Sequence, residues 1–328
     1  MLHAVHTSRA ARLIAIALVA VMLLQPAGAL AREPKLKVVA TVAPIADLVR
    51  QIAGSRIELV QIIPDGTDSH TFEPRPSDAR SLREADLIIF NGLHLETPTQ
   101  RLADANRGPN TQVLSLGDNT VQPRDYIFDF SFPASKGDPN PHLWLDVTYA
   151  KNYAQLIANK LVELDPENTE YFQANAATLY GRMDQLDAAI FQAVQALPAS
   201  SRKLLTYHDS WAYFGRRYGM EIIGAIQPSD FGQPSPRQVA ALIDQIRASR
   251  VPAVFGSEVY PSSVMDVIGR ESGARHVDTL RDDDLPGPVS SPNHTYLGMM
   301  LENMRTMFSA LGGPTNMFDG IDPSPIAQ

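Results

Sequence analysis

Between Asp165 and Pro198 apolar residues recur at Phe172, Ala176, Leu179, Met183, Leu186, Ile190, Ala193 and Leu197, in steps that alternate four and three. That spacing holds one apolar stripe on one face of a helix. Asp165-Pro166 supplies a cap and a first helical residue, and Pro198 stops the run. Roughly 30 residues at 1.5 Å each make a rod of about 45 Å, long enough to run beside two small lobes. An ordinary packing helix inside one domain is the competing reading. The length favours a rigid spine, with little hinge motion across it, since a typical helix has about 11–12 residues.

Both sides of this rod carry the same rhythm. Before it, strand-like runs at 36–41, 57–63 and 87–90 alternate with helix-like stretches at 45–52 and 75–84. After it, strands are expected at 203–207, 222–226, 251–255 and 274–277, with helices at 236–248 and 295–310. Strands alternating with helices at this spacing make parallel α/β units. The expected fold is therefore α/β, with two parallel-sheet lobes joined by a single long helix. The divisions are an N-terminal lobe at 32–164, a linking helix at 165–197, a C-terminal lobe at 198–312 and a flexible tail at 313–328.

The first 31 residues read as an export signal. His3, Arg9 and Arg12 open it, a short apolar core follows, and Ala29-Leu30-Ala31 forms a small-x-small cleavage site. Cleavage after Ala31 is expected. The chain has no cysteine, which excludes disulfides, thiolate ligands and a lipidated N-terminal Cys. An exported chain with no lipid anchor fits the periplasm. A net charge of −8 offers no basic surface for nucleic acid or anionic lipid.

Four side chains capable of holding a metal fall at expected strand ends. His70 lies a few residues past the second strand, His142 in a proline-bounded turn, His208 directly after 203–207, and Asp278 directly after 274–277. Ligands of open α/β sheets bind beyond the carboxyl ends of the strands. Two candidates come from each half, so a cleft between lobes would collect all four. Three imidazoles and one carboxylate suit tetrahedral zinc. Asp278 is preferred to Asp282, Asp283 and Asp284, because that run lies in a charged, Pro/Gly-bounded segment that reads as mobile and solvated. Imidazoles with an ordinary pKa of about 6.5 would release metal below about pH 6.

The chain resembles the solute receptors of ABC-type zinc and manganese importers, the group with a rigid helical spine. The likeness covers 36–312. It rests on His70 to Pro74, Ala85-Asp86-Leu87, Asn91 to Glu96, Asp138 to Asp146, Tyr207-His208-Asp209, Phe255 to Glu258, Asp278-Thr279-Leu280 and Tyr296 to Asn303. The resemblance implies a metal site of His70, His142, His208 and Asp278, zinc ahead of manganese as cargo, and a membrane permease as partner. Periplasmic metal chaperones are further partners, and the receptor is expected to be a monomer. Manganese members tend to carry a carboxylate at the third position, where this chain has His208; nitrogen donors favour zinc. Two departures stand out. Ser69 replaces the usual proline, a change expected to loosen the turn, and 117–138 contains no histidine-rich insertion.

Glu258 is read as a partner that orients an imidazole, or else as an acid paired with an arginine. His94 and His294 are read as solvated, and His276 as near the cleft at most. A manganese or iron receptor is the nearest alternative function. A secreted zinc metallohydrolase is more distant, because His-Glu-x-x-His and Gly-x-Ser-x-Gly are missing and four protein ligands would leave no open position. An organic-solute binder would want aromatic platforms, and the chain has two tryptophans, Trp144 and Trp211.

Overall fold

Strand β1 (Lys37–Ala40) feeds helix α1 (Ala43–Ala53), which returns the chain to β2 (Glu58–Gln61). The same step repeats through α2 (Pro76–Glu84), β3 (Leu87–Phe90), α3 (Thr97–Asn106) and β4 (Gln112–Ser115). The four strands are parallel, in the order β2-β1-β3-β4. This computed structural model describes residues 35–259 and 263–327, with only the backbone of Asp278 and Thr279. The export signal read at 1–31 lies outside the described residues. Among the described residues no helix is long and apolar enough to cross a membrane.

The second lobe repeats the plan. Strands β5 (Lys203–Thr206), β6 (Glu221–Ala225), β7 (Ala253–Ser257) and β8 (Arg275–Leu280) are parallel, in the order β6-β5-β7-β8. Helices α6 (Ala212–Tyr218), α7 (Pro236–Ser249) and α8 (Ser263–Ser272) form its crossovers, and α9 (Tyr296–Leu311) follows β8. In each sheet the order reverses beside the first strand, between β1 and β3 and between β5 and β7. Such a reversal opens a crevice at the carboxyl ends of the strands.

The spine is present, preceded by a second helix that periodicity did not separate. Helix α4 (Val147–Leu164) starts at Asp146, whose side chain accepts from Thr148 N. One 3₁₀ turn, Pro166–Asn168, leads into α5 (Thr169–Ala196). The anticipated stripe is buried along α5: Phe172, Ala176, Leu179, Met183, Leu186, Ile190 and Ala193. It joins a single hydrophobic core containing Val38 and Ile88 of one sheet and Phe255 and Leu280 of the other.

Two expectations need correction. Strand β8 does not stop at Val277 but continues to Leu280, with Ser257 paired to Leu280 past an irregularity in β7. The rim of that sheet therefore begins at Arg281. The tail expected to be flexible instead folds back along the helices. Phe318 is buried, Arg182 donates to Ser324 O, and Ile326 N donates to Gln51 Oε1.

Candidate metal centre

His70 sits in a turn beyond β2 that its own neighbours fix. Asp68 Oδ1 accepts His70 N at 2.8 Å, and Asp68 Oδ2 accepts the Thr71 hydroxyl at 2.7 Å. This arrangement has a short acid closing a turn on its own backbone two residues ahead. The turn at Ser69 is thus closed by side-chain hydrogen bonds in the absence of proline. His142 follows Asn140-Pro141, and Asn91 Nδ2 anchors that segment by donating to Pro141 O. His208 lies two residues past the end of β5.

These three imidazoles converge. One ring nitrogen from each lies within 4.8 Å of the others. His142 Nε2 is 3.2 Å from His70 Nε2 and 2.9 Å from His208 Nε2. Asn140 Oδ1 lies 2.8 Å from His142 Nδ1, and Gln227 Oε1 lies 2.5 Å from His208 Nδ1. An amide oxygen can only accept, so both Nδ1 atoms carry the proton and donate. Both Nε2 atoms then turn acceptor lone pairs toward one another, the donor atoms a cation would take. Nitrogens held tetrahedrally at 2.0–2.1 Å from zinc would lie about 3.3–3.4 Å apart. The two separations from His142 Nε2, 3.2 and 2.9 Å, fall just short of that.

The surroundings of His70 and His142 favour their neutral forms. Burial, with His208 close by, holds the His70 imidazole down at about 3. Burial likewise holds His142 well below the usual imidazole range, with His208 and His70 adding to it. Phe231 lies flat over His70, ring centroids 4.5 Å apart and planes within 10°. Its backbone is left-handed (φ 58°), which is uncommon for a bulky residue. Phe132 flanks both His70 and His142. A pocket of about 220 Å³ reaches His70 past Phe132, Phe231, His94 and Asp138.

Beyond β8, the structure departs from the sequence reading. The run Asp282-Asp283-Asp284 is no mobile solvated loop. Asp282 is 1% and Asp283 4% exposed, and the segment closes the seam between lobes. Asp282 Oδ2 accepts from Ser210 and its carbonyl from Trp144 Nε1. Asp283 Oδ2 accepts from Ser69, and Asp284 Oδ2 from Gly66 N. Glu258 organises this loop rather than an imidazole or an arginine: its Oε1 accepts from the amides of Asp282, Asp283 and Asp284 at 2.9, 3.3 and 3.2 Å. Burial pushes the Asp283 carboxyl up, and the nearby His208 pulls it back. Among the described residues Asp283 Oδ1 is buried with no hydrogen-bond partner. The Asp278 side chain lies outside the described residues; its backbone is inside β8, short of the rim.

The remaining histidines divide. His94 is exposed beside Asp138. His276 pairs with Asp266. His294, read as solvated, is buried and bonded through Nδ1 to Gly287 O, because the Pro/Asn-rich turn that carries it folds inward. Asn140 stood within a motif already noticed, but Gln227 carried no signal, because an isolated glutamine after a strand has no distinctive pattern.

Known proteins share this architecture. Residues 38–310 match the family described as ZnuA, zinc-uptake complex component A, periplasmic. The chain is 30% identical over 277 residues to the manganese-binding lipoprotein MntA of Halalkalibacterium halodurans, covering 84% of this chain and 88% of that protein. It is 28% identical over 282 residues to the manganese ABC transporter substrate-binding lipoprotein PsaA of Streptococcus pneumoniae, covering 84% and 89%. Among solved structures, the periplasmic zinc-binding protein TroA from Treponema pallidum aligns with a TM-score of 0.76 at 28% identity, over 84% of this chain and 99% of that one.

Proposed function

The chain belongs to the ZnuA family of zinc-uptake components, and from that premise we propose that it captures zinc in the periplasm and delivers it to the permease of an ABC importer. Members of this family are metal-binding receptors of ABC transporters and not enzymes. The observation that carries the zinc reading is the convergence of three imidazole nitrogens, with the Nδ1 atoms of His142 and His208 set against amide oxygens. Nitrogen donors at tetrahedral spacing favour zinc, whereas manganese favours oxygen.

We assign His70, His142 and His208 as ligands to the cargo, with Asp278 as the fourth. Asp278 lies in the last half of β8, at the carboxyl side of that sheet, where ligands of open α/β sheets bind. The named relatives MntA and PsaA favour a manganese reading instead. A competition titration separates the two. Purified protein is expected to hold one zinc that excess manganese does not displace, and His208→Glu is expected to shift the preference toward manganese. Wild type that prefers manganese would overturn the zinc assignment.

A further inference from the structure

We propose that His94 and Asp138 form a second, weaker cation site at the mouth of the pocket, a staging post through which the divalent ion passes to and from His70. Both side chains line the pocket of about 220 Å³ that also reaches His70. His94 Nδ1 lies 3.8 Å from Asp138 Oδ1, with the two side chains 65% and 58% exposed. One imidazole nitrogen and one carboxylate oxygen are donors that zinc takes, at bond lengths that set two tetrahedral ligands about 3.3–3.6 Å apart. A small rotation of either exposed side chain closes the difference.

The backbone holds this pair in place. Leu93 and His94 are both left-handed, with φ of 52° and 67°, a conformation uncommon for bulky residues and kept where surrounding contacts impose it. Here the Glu96 carboxylate accepts from the amides of Asn91 and Gly92 at 2.6 and 3.1 Å, and Leu93 and Leu95 are both buried. The turn thus packs two leucines inward and leaves the imidazole between them outside. Asp138 opens the segment Asp138-Pro139-Asn140-Pro141-His142, and Asn91 Nδ2 donates to Pro141 O at 3.0 Å, which fastens the two segments together. The post and the ligand His142 therefore share one proline-stiffened stretch. Lys136 also lines the pocket, its ammonium bonded to Ser229 O. A positive charge in the same lining weakens the pull of Asp138 as a bare charge, so the bond to the imidazole is needed to hold an ion there.

Two protein donors leave the rest of the coordination sphere open, so the ion is held weakly and moves on. Its destination is the three imidazoles, and the role of the post rests on that reading. A stop along the path lowers the barrier to entry and to exit alike. Both rates change by one factor, and the affinity of the central site stays the same because its end states are the same. As an ion pair, two groups this exposed contribute little to stability, so both can be replaced without loss of the fold.

Calorimetric titration of the purified chain with zinc is expected to show one tight equivalent and a second, weaker one. The double variant His94→Asn/Asp138→Ala, whose asparagine tolerates the left-handed backbone, is expected to lose the weaker equivalent alone. Stopped-flow mixing with zinc gives the rates through tryptophan fluorescence, since the Trp144 ring lies 5.1 Å from that of His142. Uptake and chelator-driven release are both expected to slow by roughly tenfold in the variant, the low end of what a charged cleft adds to an on-rate, at an unchanged tight dissociation constant. High salt screens a field but not a coordinate bond, so the difference is expected to persist there. A weaker equivalent that survives in the variant, a release rate left at the wild-type value, or a rate difference that high salt removes overturns the inference. Absence of the tight equivalent from wild type would fall instead on the three-imidazole site itself.

Discussion

Asp278 and Asp283 stand on either side of the end of β8, and which of them meets the metal depends on where that strand stops. Asp278→Ala is expected to weaken zinc binding by at least about tenfold, since losing a ligand costs no less than losing a group that orients one. Asp283→Ala is expected to change it less. Isothermal titration of the two variants decides, and the reverse order would pass the role to Asp283. The three histidines were legible because each occupies a local marker: a turn after a strand, a proline-bounded segment, a strand end. The burial of the acidic run after β8 was not legible. Three consecutive aspartates read as solvated by composition, and what buries them is Ser69, Ser210, Glu258 and Gly66, which are remote in sequence.

At the scale of elements, α1 and α9 meet through a single buried acid. Asp47 Oδ2 accepts Tyr296 N in the first turn of α9 at 2.7 Å, and Gln51 donates to the same carboxylate. A negative group suits a helix N-terminus, where backbone N–H groups lack partners. Burial nevertheless pushes the Asp47 carboxyl up, so its charge is held against a desolvation penalty. The acceptor then matters more than the charge. Asp47→Asn is expected to lie within about 1 kcal/mol of wild type, whereas Asp47→Ala, which orphans two buried donors, is expected to lose about 2–4 kcal/mol. Urea denaturation of both variants checks this, and equal losses would show that the charge carries the contact. Periodicity revealed α9 and the spine but not this anchor, because a lone aspartate in an apolar helix gives no hint of a partner far along the chain.

Across the whole molecule, from Leu36 onward, the chain forms one compact unit, and pH acts on it as one. His70 stays neutral in the fold down to about 3. The unfolded chain takes up a proton below about 6.5, so the metal-free protein has this stability in full above that value and loses it as the pH falls toward the folded pKa. Burial pushes the Glu258 and Asp282 carboxyls up, and these acids work in the opposite sense, costing stability as the pH rises. Comparison with His70→Phe isolates the imidazole: between about pH 6.5 and 5 wild type is expected to lose roughly 2 kcal/mol more than the variant. Parallel curves would mean that His70 titrates normally. The aromatic walls have a consequence of their own. Phe132 and Phe231 flank the approach to His70 with faces that offer no lone pairs to an incoming ion. His94 and Asp138 line the same entrance, so an arriving ion meets lone pairs and bare aromatic faces side by side, and the balance between them sets how readily it gives up water on the way to the imidazoles.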